Sequence, residues 1–275
     1  MKIKKTGNEF SIVSDSDCEN NYIVSIGENG KKFVERKSVE TFYLNVSDGN
    51  SKTGKAGNLN MPIEYTCNHD CECYKKSKCY AETGCYLYHN NQKMYSENLN
   101  FFYNSTSEEF CKAVKIAIEF FGYLLFRYFT CGDIPNTRFF DCMVRIAKEN
   151  PNIRFWAYTK KYGIVNRWID QNGNLPENLT IIFSHWLNEN GTYYPMKNPH
   201  NLPTSEFIPY GKENTIDKNF HVCPCSDPTV KSTCETCEKP CYKLLKGEHM
   251  ALLEHSTKET KARDKAIKKA KKALK

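Results

Sequence analysis

The sequence has no hydrophobic run long enough to cross a membrane. A transmembrane helix needs about 18 or more predominantly apolar residues in succession, and no such run occurs among the 275 residues. The amino terminus reads MKIKKTGNEFSIVS, which begins basic but lacks the apolar core of a signal peptide. We therefore expect a protein that does not contact a membrane and that stays in a reducing cytoplasm.

Two common catalytic motifs are also missing. The segment GNSKTGK at 49–55 contains glycines and lysines, but it lacks the spacing of a Walker phosphate loop. We expect it to lie in an exposed loop that spans 47–58. The chain has seven histidines and no HExxH motif, which argues against the common type of zinc hydrolase.

Cysteine, in contrast, is abundant and clustered. Five of the 14 cysteines lie in TCNHDCECYKKSKCYAETGC at 66–85, and five more lie in CPCSDPTVKSTCETCEKPC at 223–241. Disulfide frameworks are typical of small secreted proteins, so clustered cysteines in a reducing compartment favour metal binding. Thiolates bind both zinc and iron–sulfur clusters, and the residues alone leave the identity of the metal open.

Each cysteine cluster predicts its own set of ligands. Three thiolates suffice for a four-iron cluster with one open iron, and with one further ligand they suffice for zinc. In the first cluster the expected ligands are Cys67, Cys71 or Cys73, and Cys79. In the second cluster Cys234 and Cys237 are separated by two residues, which is the usual spacing of a metal knuckle. The complete second set is expected to be Cys223, Cys234, Cys237 and Cys241.

Hydrophobic patterning predicts a parallel sheet in the middle of the chain. Three apolar strands, FRYFT at 126–130, IRFWAYTK at 153–160 and LTIIFSHW at 179–186, are separated by amphipathic helical segments. Alternating strands and helices are typical of βαβ units. The predicted fold is therefore α/β, with a parallel (β/α) barrel or partial barrel and cysteine-rich metal-binding segments. An open doubly wound sheet is the alternative.

Four segments follow from these patterns. Residues 1–58 are a β-rich amino-terminal segment, and residues 59–222 form the barrel-like core. Residues 223–257 are the cysteine-rich metal-binding segment. Residues 258–275 form a basic tail with a net charge of +7, from eight Lys and one Arg against two acidic residues. Such a tail favours contact with nucleic acid, and a solvated terminal helix is the alternative.

The ends of the predicted strands bring polar groups together. In parallel α/β folds, functional residues gather at the carboxyl ends of the strands. Here those ends read Cys131-Gly132-Asp133, Tyr158-Thr159-Lys160 and Ser184-His185-Trp186. The first cysteine cluster follows another stretch that we expect to be extended, NMPIEYT at 60–66, so it should lie at the same edge. Asp133 also has a structural alternative, because it could cap the turn that follows it.

Six motifs occur along the chain in a specific order. They are GNSKTGKAGNLNMPIEYTC, CYA at 79–81, RYFTCGDIP, NPNIRFWAYTKKYGIVN, PENLTIIFSHW and CETCEKPCYKLLKGEHMALLEH. Together they run from about 49 to about 255, and in that order they resemble the phage gene product 88 family. The resemblance implies a phage or mobile-element origin and the cytoplasm of a bacterial host.

The CYA cluster is also similar to clusters of phage proteins that look like radical S-adenosylmethionine enzymes. That resemblance implies a four-iron cluster on the first ligand set, with S-adenosylmethionine on the open iron. Gly132 and Asp133 stand where the superfamily binds the amino group of S-adenosylmethionine, and Thr159 is expected at the same cofactor site. The usual cysteine spacing of the superfamily is absent, and Cys131 stands where family members often have a small polar residue.

These observations lead to two hypotheses about function. The first is an iron–sulfur enzyme of the radical S-adenosylmethionine type with an unknown substrate, nucleic acid being one candidate. Asp133, Lys160 and Ser184 are then the candidate catalytic residues that position the cosubstrate or substrate. The second is a non-catalytic zinc-stabilised phage protein whose tail binds nucleic acid or a host protein. The two hypotheses differ in the identity of the metal.

Overall fold

The structure is a computed structural model, and it contains two β-sheets. It describes residues 2–6, 9–13, 22–27, 30–37, 40–50, 52–68, 71, 79–82, 84–185, 196–226 and 230–254. The first sheet is an antiparallel meander in chain order, which confirms the β-type runs predicted near the amino terminus. Its five strands are β1 (Lys2–Thr6), β2 (Glu9–Val13), β3 (Tyr22–Ile26), β4 (Lys32–Lys37) and β5 (Thr41–Val46).

The second sheet has seven strands, and every neighbouring pair in it is parallel. Its strands are β6 (Gly57–Leu59), β7 (Leu125–Tyr128), β8 (Arg154–Thr159), β9 (Leu179–His185), β10 (Thr204–Ile208), β11 (Phe220–Val222) and β12 (His249–Leu253). The spatial order is β11-β12-β10-β9-β8-β7-β6. The predicted parallel α/β fold is therefore confirmed, and its three central strands lie where the hydrophobic pattern predicted them.

Along the chain, the described α-helices fall between strands β6 and β9 of the parallel sheet. They are α1 (Ile63–Thr66), α2 (His89–Tyr103), α3 (Ser107–Phe121), α4 (Thr137–Glu149) and α5 (Tyr162–Asn172). Helix α3 begins with a capping box, in which Thr106 and Glu109 exchange hydrogen bonds. None of the helices in the described part of the chain is long and apolar enough to span a membrane.

One local prediction was wrong. The stretch 60–66 was expected to be extended, but Ile63–Thr66 form the helical turn α1. Pro62 stands just before this turn, where its fixed φ suits helix initiation, and the Thr66 hydroxyl donates to the Pro62 carbonyl at 2.8 Å. The preceding strand is β6, so the first cysteine cluster still follows a strand of the parallel sheet.

Helices α3, α4 and α5 pack on the same face of the parallel sheet. This face, here named the helix face, carries Phe126, Tyr128 and Phe155. A doubly wound sheet has helices on both faces, so that alternative does not describe the arrangement of α3–α5. The strands from β6 to β10 are added in chain order, as in a barrel. Among the described strands, however, β6 does not pair with β11, and closure into a full barrel is not seen.

The opposite face of the sheet is covered by the second cysteine-rich segment. This face, here named the cysteine face, carries Leu125, Trp156 and Ile182, which pack against Cys241 and Tyr242. The Thr180 hydroxyl donates to the Tyr242 carbonyl at 3.0 Å. The segment after 222 also supplies β12, which lies between β10 and β11. The cysteine-rich segment is thus built into the parallel sheet.

The loop at 47–58, which was expected to be exposed, is exposed only in part, at Asp48, Asn50 and Lys55. Thr53 is only 3% exposed. The Lys52 carbonyl accepts hydrogen bonds from the Cys234 amide at 2.9 Å and from the Cys225 thiol at 3.4 Å. The covering residues come from the far end of the chain, so the local polar composition of the loop does not reveal them.

Candidate metal centre and strand-end site

The first cysteine group lies beyond the carboxyl ends of β6 and β7. Cys67 and Cys79 pack against Cys131 in a small apolar cluster that also contains Ile63 and Tyr95. Burial raises the pKa of Cys131 to about 12 and raises the pKa of Cys67 and Cys79 as well. These thiols are therefore neutral near pH 7 unless a cation binds them.

Two further cysteines of the predicted first set have different outcomes. Cys71 lies near enough to Cys79 for its charge to raise the pKa of Cys79, although burial has the larger effect. Cys73 lies outside the described residues. Cys131, which was not in the predicted set, is the third thiol that the structure brings to Cys67 and Cys79.

The ends of β6 and β7 are joined by Asn60, a residue that sequence reasoning missed. Its side-chain oxygen accepts hydrogen bonds from the Thr130 amide at 2.8 Å, the Thr130 hydroxyl at 2.7 Å and the Cys131 amide at 3.1 Å. Gly132 completes this junction with a positive φ of 87°. A Cβ atom at Gly132 would lie 2.4 Å from the Met61 carbonyl oxygen, so the junction requires glycine.

Asp133 connects the ends of β7 and β8. Its Oδ1 accepts from the Thr159 hydroxyl at 2.6 Å and the Ile134 amide at 2.8 Å, and its Oδ2 accepts from the Lys160 amide at 3.0 Å. Burial raises the pKa of Asp133, and these hydrogen bonds oppose that increase. The carboxylate thus already holds two strand ends together, and Oδ2 retains room for one more donor.

The Thr159 hydroxyl is already engaged in hydrogen bonds at this junction. Its hydroxyl donates to Asp133 and accepts the Lys161 amide at 2.9 Å, and the residue is buried. The roles of Gly132, Asp133 and Thr159 in binding S-adenosylmethionine remain predictions. Their visible contacts build the edge of the sheet.

Lys160 and Ser184 extend this edge across the next two strands. The positive charge of Lys160 lowers the pKa of Cys67 and Cys79, against the larger opposing effect of burial. Lys160 therefore lies beside the first cysteine group. Ser184 follows Phe183, which pairs with Thr159, and its carbonyl accepts a hydrogen bond from the Tyr162 hydroxyl. Asp133, Lys160 and Ser184 thus occur at successive strand ends, and their catalytic roles remain predictions.

The second cysteine group is centred on Cys223. Its charge raises the pKa values of four other thiols, with burial as the larger cause in each. Those four are Cys225, Cys234, Cys237 and Cys241. All four predicted ligands therefore come together, and Cys225 joins them. The Cys241 sulfur also accepts a hydrogen bond from the Tyr158 hydroxyl at 2.7 Å, which ties this group to β8.

The thiols have the donor chemistry for iron–sulfur clusters or zinc, but their arrangement is not that of a formed metal site. Within the described ranges, no group of three or more His, Cys, Asp or Glu side chains is arranged to hold a metal ion. The soft donors fit the proposed groups in type, and Cys73, a further predicted ligand, lies outside the described residues.

Comparison with known families identifies the chain at the level of family. The family model for Gene product 88 matches residues 31–201. The chain belongs to the phage gene product 88 family. The matched range contains the first cysteine group and strands β7–β9, and it ends before the second cysteine group. No curated protein and no solved structure matches the chain significantly.

Proposed function

We propose that this gene product 88 protein is an iron–sulfur enzyme of the radical S-adenosylmethionine type, acting on an unidentified substrate. The observation that carries the proposal is the position of the first cysteine group. Cys67 and Cys79 follow the edge strand β6 of a parallel sheet, beside Lys160 at the end of β8. This edge is where parallel α/β folds place their chemistry.

The order of the strands and the position of the helices support the proposal. Strands β6–β10 follow one another in space, and α3–α5 share one face, as in a partial barrel. The second cysteine-rich segment covers the opposite face and limits the access of water to it. A bound four-iron cluster would supply the electron for reductive cleavage of S-adenosylmethionine.

Residues of the chain would then bind and orient the reactants. Oδ2 of Asp133 has capacity for one donor, such as an amino group, while Oδ1 holds the strand ends together. The ammonium group of Lys160 would offset negative charge on thiolates of the first group. Ser184 would contribute a hydroxyl one strand further along the edge. Nucleic acid remains a proposed substrate, and the tail that would bind it, 258–275, lies outside the described residues.

The second cysteine group supports a second candidate function. Five thiols centred on Cys223 sit between the sheet and the 47–58 loop, which is a position suited to a structural zinc ion. In that case the protein would be a zinc-stabilised binding protein without catalysis, and nucleic acid or a host protein would be the proposed partner. Both candidates predict metal in the second group, and they differ at the first.

The proposal is tested by measuring S-adenosylmethionine cleavage after anaerobic reconstitution with iron and sulfide under reductant. The wild-type protein is expected to cleave the cosubstrate, and Cys79→Ala is expected to abolish cleavage and lower the iron content. Cys142→Ala is the control, because Cys142 is buried in the core of the helix face and belongs to neither cysteine group. Equal iron content in wild type and Cys79→Ala, with no cleavage by either, would rule out the enzyme proposal.

Asp133→Asn separates the clamp from a role in cofactor binding. We expect a stability loss of about 1–3 kcal/mol, because an amide cannot accept the Lys160 N–H as the carboxylate Oδ2 does. Binding of S-adenosylmethionine to the folded, reconstituted variant should also weaken. Asp141→Asn is the control, since Asp141 accepts only the Trp168 indole N–H at 2.7 Å among its described contacts. If the folded Asp133 variant binds normally, Asp133 is structural.

A further inference from the structure

The helix face of the parallel sheet continues beyond β9, onto β10 and β12. Thr204 on β10 pairs in register with Phe183, which belongs to the core of the helix face. Alternate residues of a strand share a face, so Glu206 lies on the same side, where it pairs with Ala251 of β12. This region, here named the β10–β12 surface, consists of Thr204, Glu206, Ile208 and Ala251.

All four residues of the β10–β12 surface are buried. Ile208 is 1% exposed and Ala251 is 0% exposed, yet neither belongs to the apolar clusters that the described side chains form. The described part of the chain contains no α-helix after α5. The apolar clusters of the described residues therefore do not account for the burial of this surface.

Glu206 determines which kind of partner suits the surface. The residue is 6% exposed and pairs in register with His185 on β9. Burial, and to a smaller extent His249, lowers the pKa of His185, so its imidazole carries no positive charge near pH 7. A glutamate is rarely buried unless cations or hydrogen-bond donors accompany it. The surface therefore suits a segment that combines small apolar side chains with a basic group.

The chain leaves β12 directly beside this surface. The Glu254 amide donates to the Ile208 carbonyl at 2.8 Å. Arg263, in the basic tail at 258–275, follows Glu254 by nine residues, and nine residues can span about 30 Å. Glu206 is level with Ala251, only three residues before Glu254. The tail is therefore long enough to reach every residue of the β10–β12 surface.

The sequence of the tail has the matching pattern. Its apolar residues recur with the period of an α-helix and share one side. With the same period Arg263 falls on that side, whereas Lys265, Lys268 and Lys272 fall on the opposite side. The apolar residues are Ala262, Ala266, Ile267, Ala270, Ala273 and Leu274.

We propose that the apolar side of the tail docks on the β10–β12 surface and that Arg263 pairs with Glu206. The alanines permit a close approach to the sheet, and Ile267 adds apolar contact area. A guanidinium presents two parallel N–H donors that match a carboxylate. The lysines of the opposite side remain available to nucleic acid. Docking needs neither metal nor cofactor, so it is independent of the proposed enzyme activity.

A matched pair of variants in the full chain tests the docking. Ile267→Gln and Lys268→Gln introduce the same side chain on opposite sides of the tail. Ile267→Gln should lower the unfolding temperature by about 3 °C or more, because it removes an apolar contact with the sheet. Lys268→Gln should unfold as wild type does. Two variants with the same unfolding temperature would overturn the proposal.

Hydrogen exchange of the full chain gives a second readout. The amides of the tail should exchange about tenfold or more slowly than those of a peptide of residues 258–275, because docking protects them. Ile267→Gln should reduce this protection, and Lys268→Gln should keep it. Tail amides that exchange in wild type as fast as in the peptide would show a solvated tail and overturn the proposal.

A double-mutant cycle tests the ion pair. Glu206→Gln and Arg263→Gln should each lower the unfolding temperature and speed exchange of the tail, and the double variant should lose less than the sum of the two. Glu119→Gln, at an exposed position on α3, is the control and should leave tail exchange unchanged. Additive losses would overturn the pairing. If Glu206→Gln is destabilised while neither Arg263→Gln nor Ile267→Gln is, another segment covers the surface and the proposal fails.

Discussion

The two faces of the parallel sheet are built from alternate residues of the same strands, and they differ in chemistry. On the helix face, the rings of Phe102, Phe110 and Phe139 meet at 4.9–5.1 Å in a closed apolar core. On the cysteine face, the next residues along the strands include Arg127 and Tyr158, and the cover is a segment rich in thiols. The aromatic core is concentrated on one face, the second cysteine group covers the other, and the first cysteine group lies at the strand ends.

Cysteine itself behaves differently on the two faces. Cys111 and Cys142, on the helix face, are buried in the apolar core as small hydrophobic residues. Their thiols donate to backbone carbonyls at 3.8 Å and interact with each other. The thiols of the cysteine face instead gather around Cys223. The same side chain therefore serves packing or candidate metal binding according to its neighbours.

The largest expected effect comes from removing thiols of the cysteine face. The double variant Cys234→Ser/Cys237→Ser should lose the metal of the second group, and a structural zinc site contributes on the order of 10 kcal/mol of apparent binding energy. The metal-to-protein ratio and unfolding with and without a chelator measure this effect. Cys111→Ala/Cys142→Ala is the matched control on the helix face and should keep its metal. Equal metal loss in both variants would remove the distinction between the faces.

The next largest effect is expected in the helix-face core. Phe139 is fully buried among aromatic rings, so Phe139→Ala should lower the free energy of unfolding by about 3–5 kcal/mol. Urea unfolding measures this loss. Leu124→Ala is the control, because Leu124 is 70% exposed and should change stability by about 0.5 kcal/mol or less. A small effect at Phe139 would show that the apolar cluster does not dominate stability.

A glycine pair tests the strand-end junction where the two faces meet. Gly132→Ala should cost about 3 kcal/mol or more, because it combines a positive φ with a clash against the Met61 carbonyl. Gly122→Ala should cost about 1–2 kcal/mol, since that residue also has a positive φ but faces open space. The difference between the losses of unfolding free energy in the two variants measures the cost of the clash with the Met61 carbonyl. Equal losses would show that this clash makes no contribution.

The smallest expected effect concerns pH and a charge at the border of the helix face. Burial raises the pKa of Glu109, but hydrogen bonds with Thr106 and Arg36 lower it more, and the net pKa lies below the usual value. In the unfolded chain the pKa of a glutamate is about 4.3. Glu109 therefore stabilises the fold fully above that pH. This stabilisation is lost as the pH falls through the lower pKa that Glu109 has in the folded protein. Glu109→Gln should cost about 1–2 kcal/mol at pH 7 and less at low pH.

This dependence is measured by urea unfolding of wild type and Glu109→Gln at neutral and at acidic pH. Glu119→Gln is the matched control on the same helix, because its ion pair with Lys115 is long, at 3.9 Å, and exposed. A difference between wild type and Glu109→Gln that stays constant with pH would show that the charge of Glu109 makes no contribution.

The sequence predicted those helices and strands that are determined by residues within or next to them. Helix α3 carries its own capping box, α5 ends at Gly173, and the central strands are continuous apolar runs. The short strands β10–β12 and the cover over the 47–58 loop depend on contacts between distant parts of the chain, and they were missed.

Iron, sulfide and zinc analysis of anaerobically purified protein tests the central claim most directly, with a visible spectrum of the same sample. The proposal that the first cysteine group holds an iron–sulfur cluster predicts brown protein with iron and labile sulfide, both lost in Cys79→Ala. Colourless protein with stoichiometric zinc and no iron would contradict it, and would favour the zinc-stabilised binding protein.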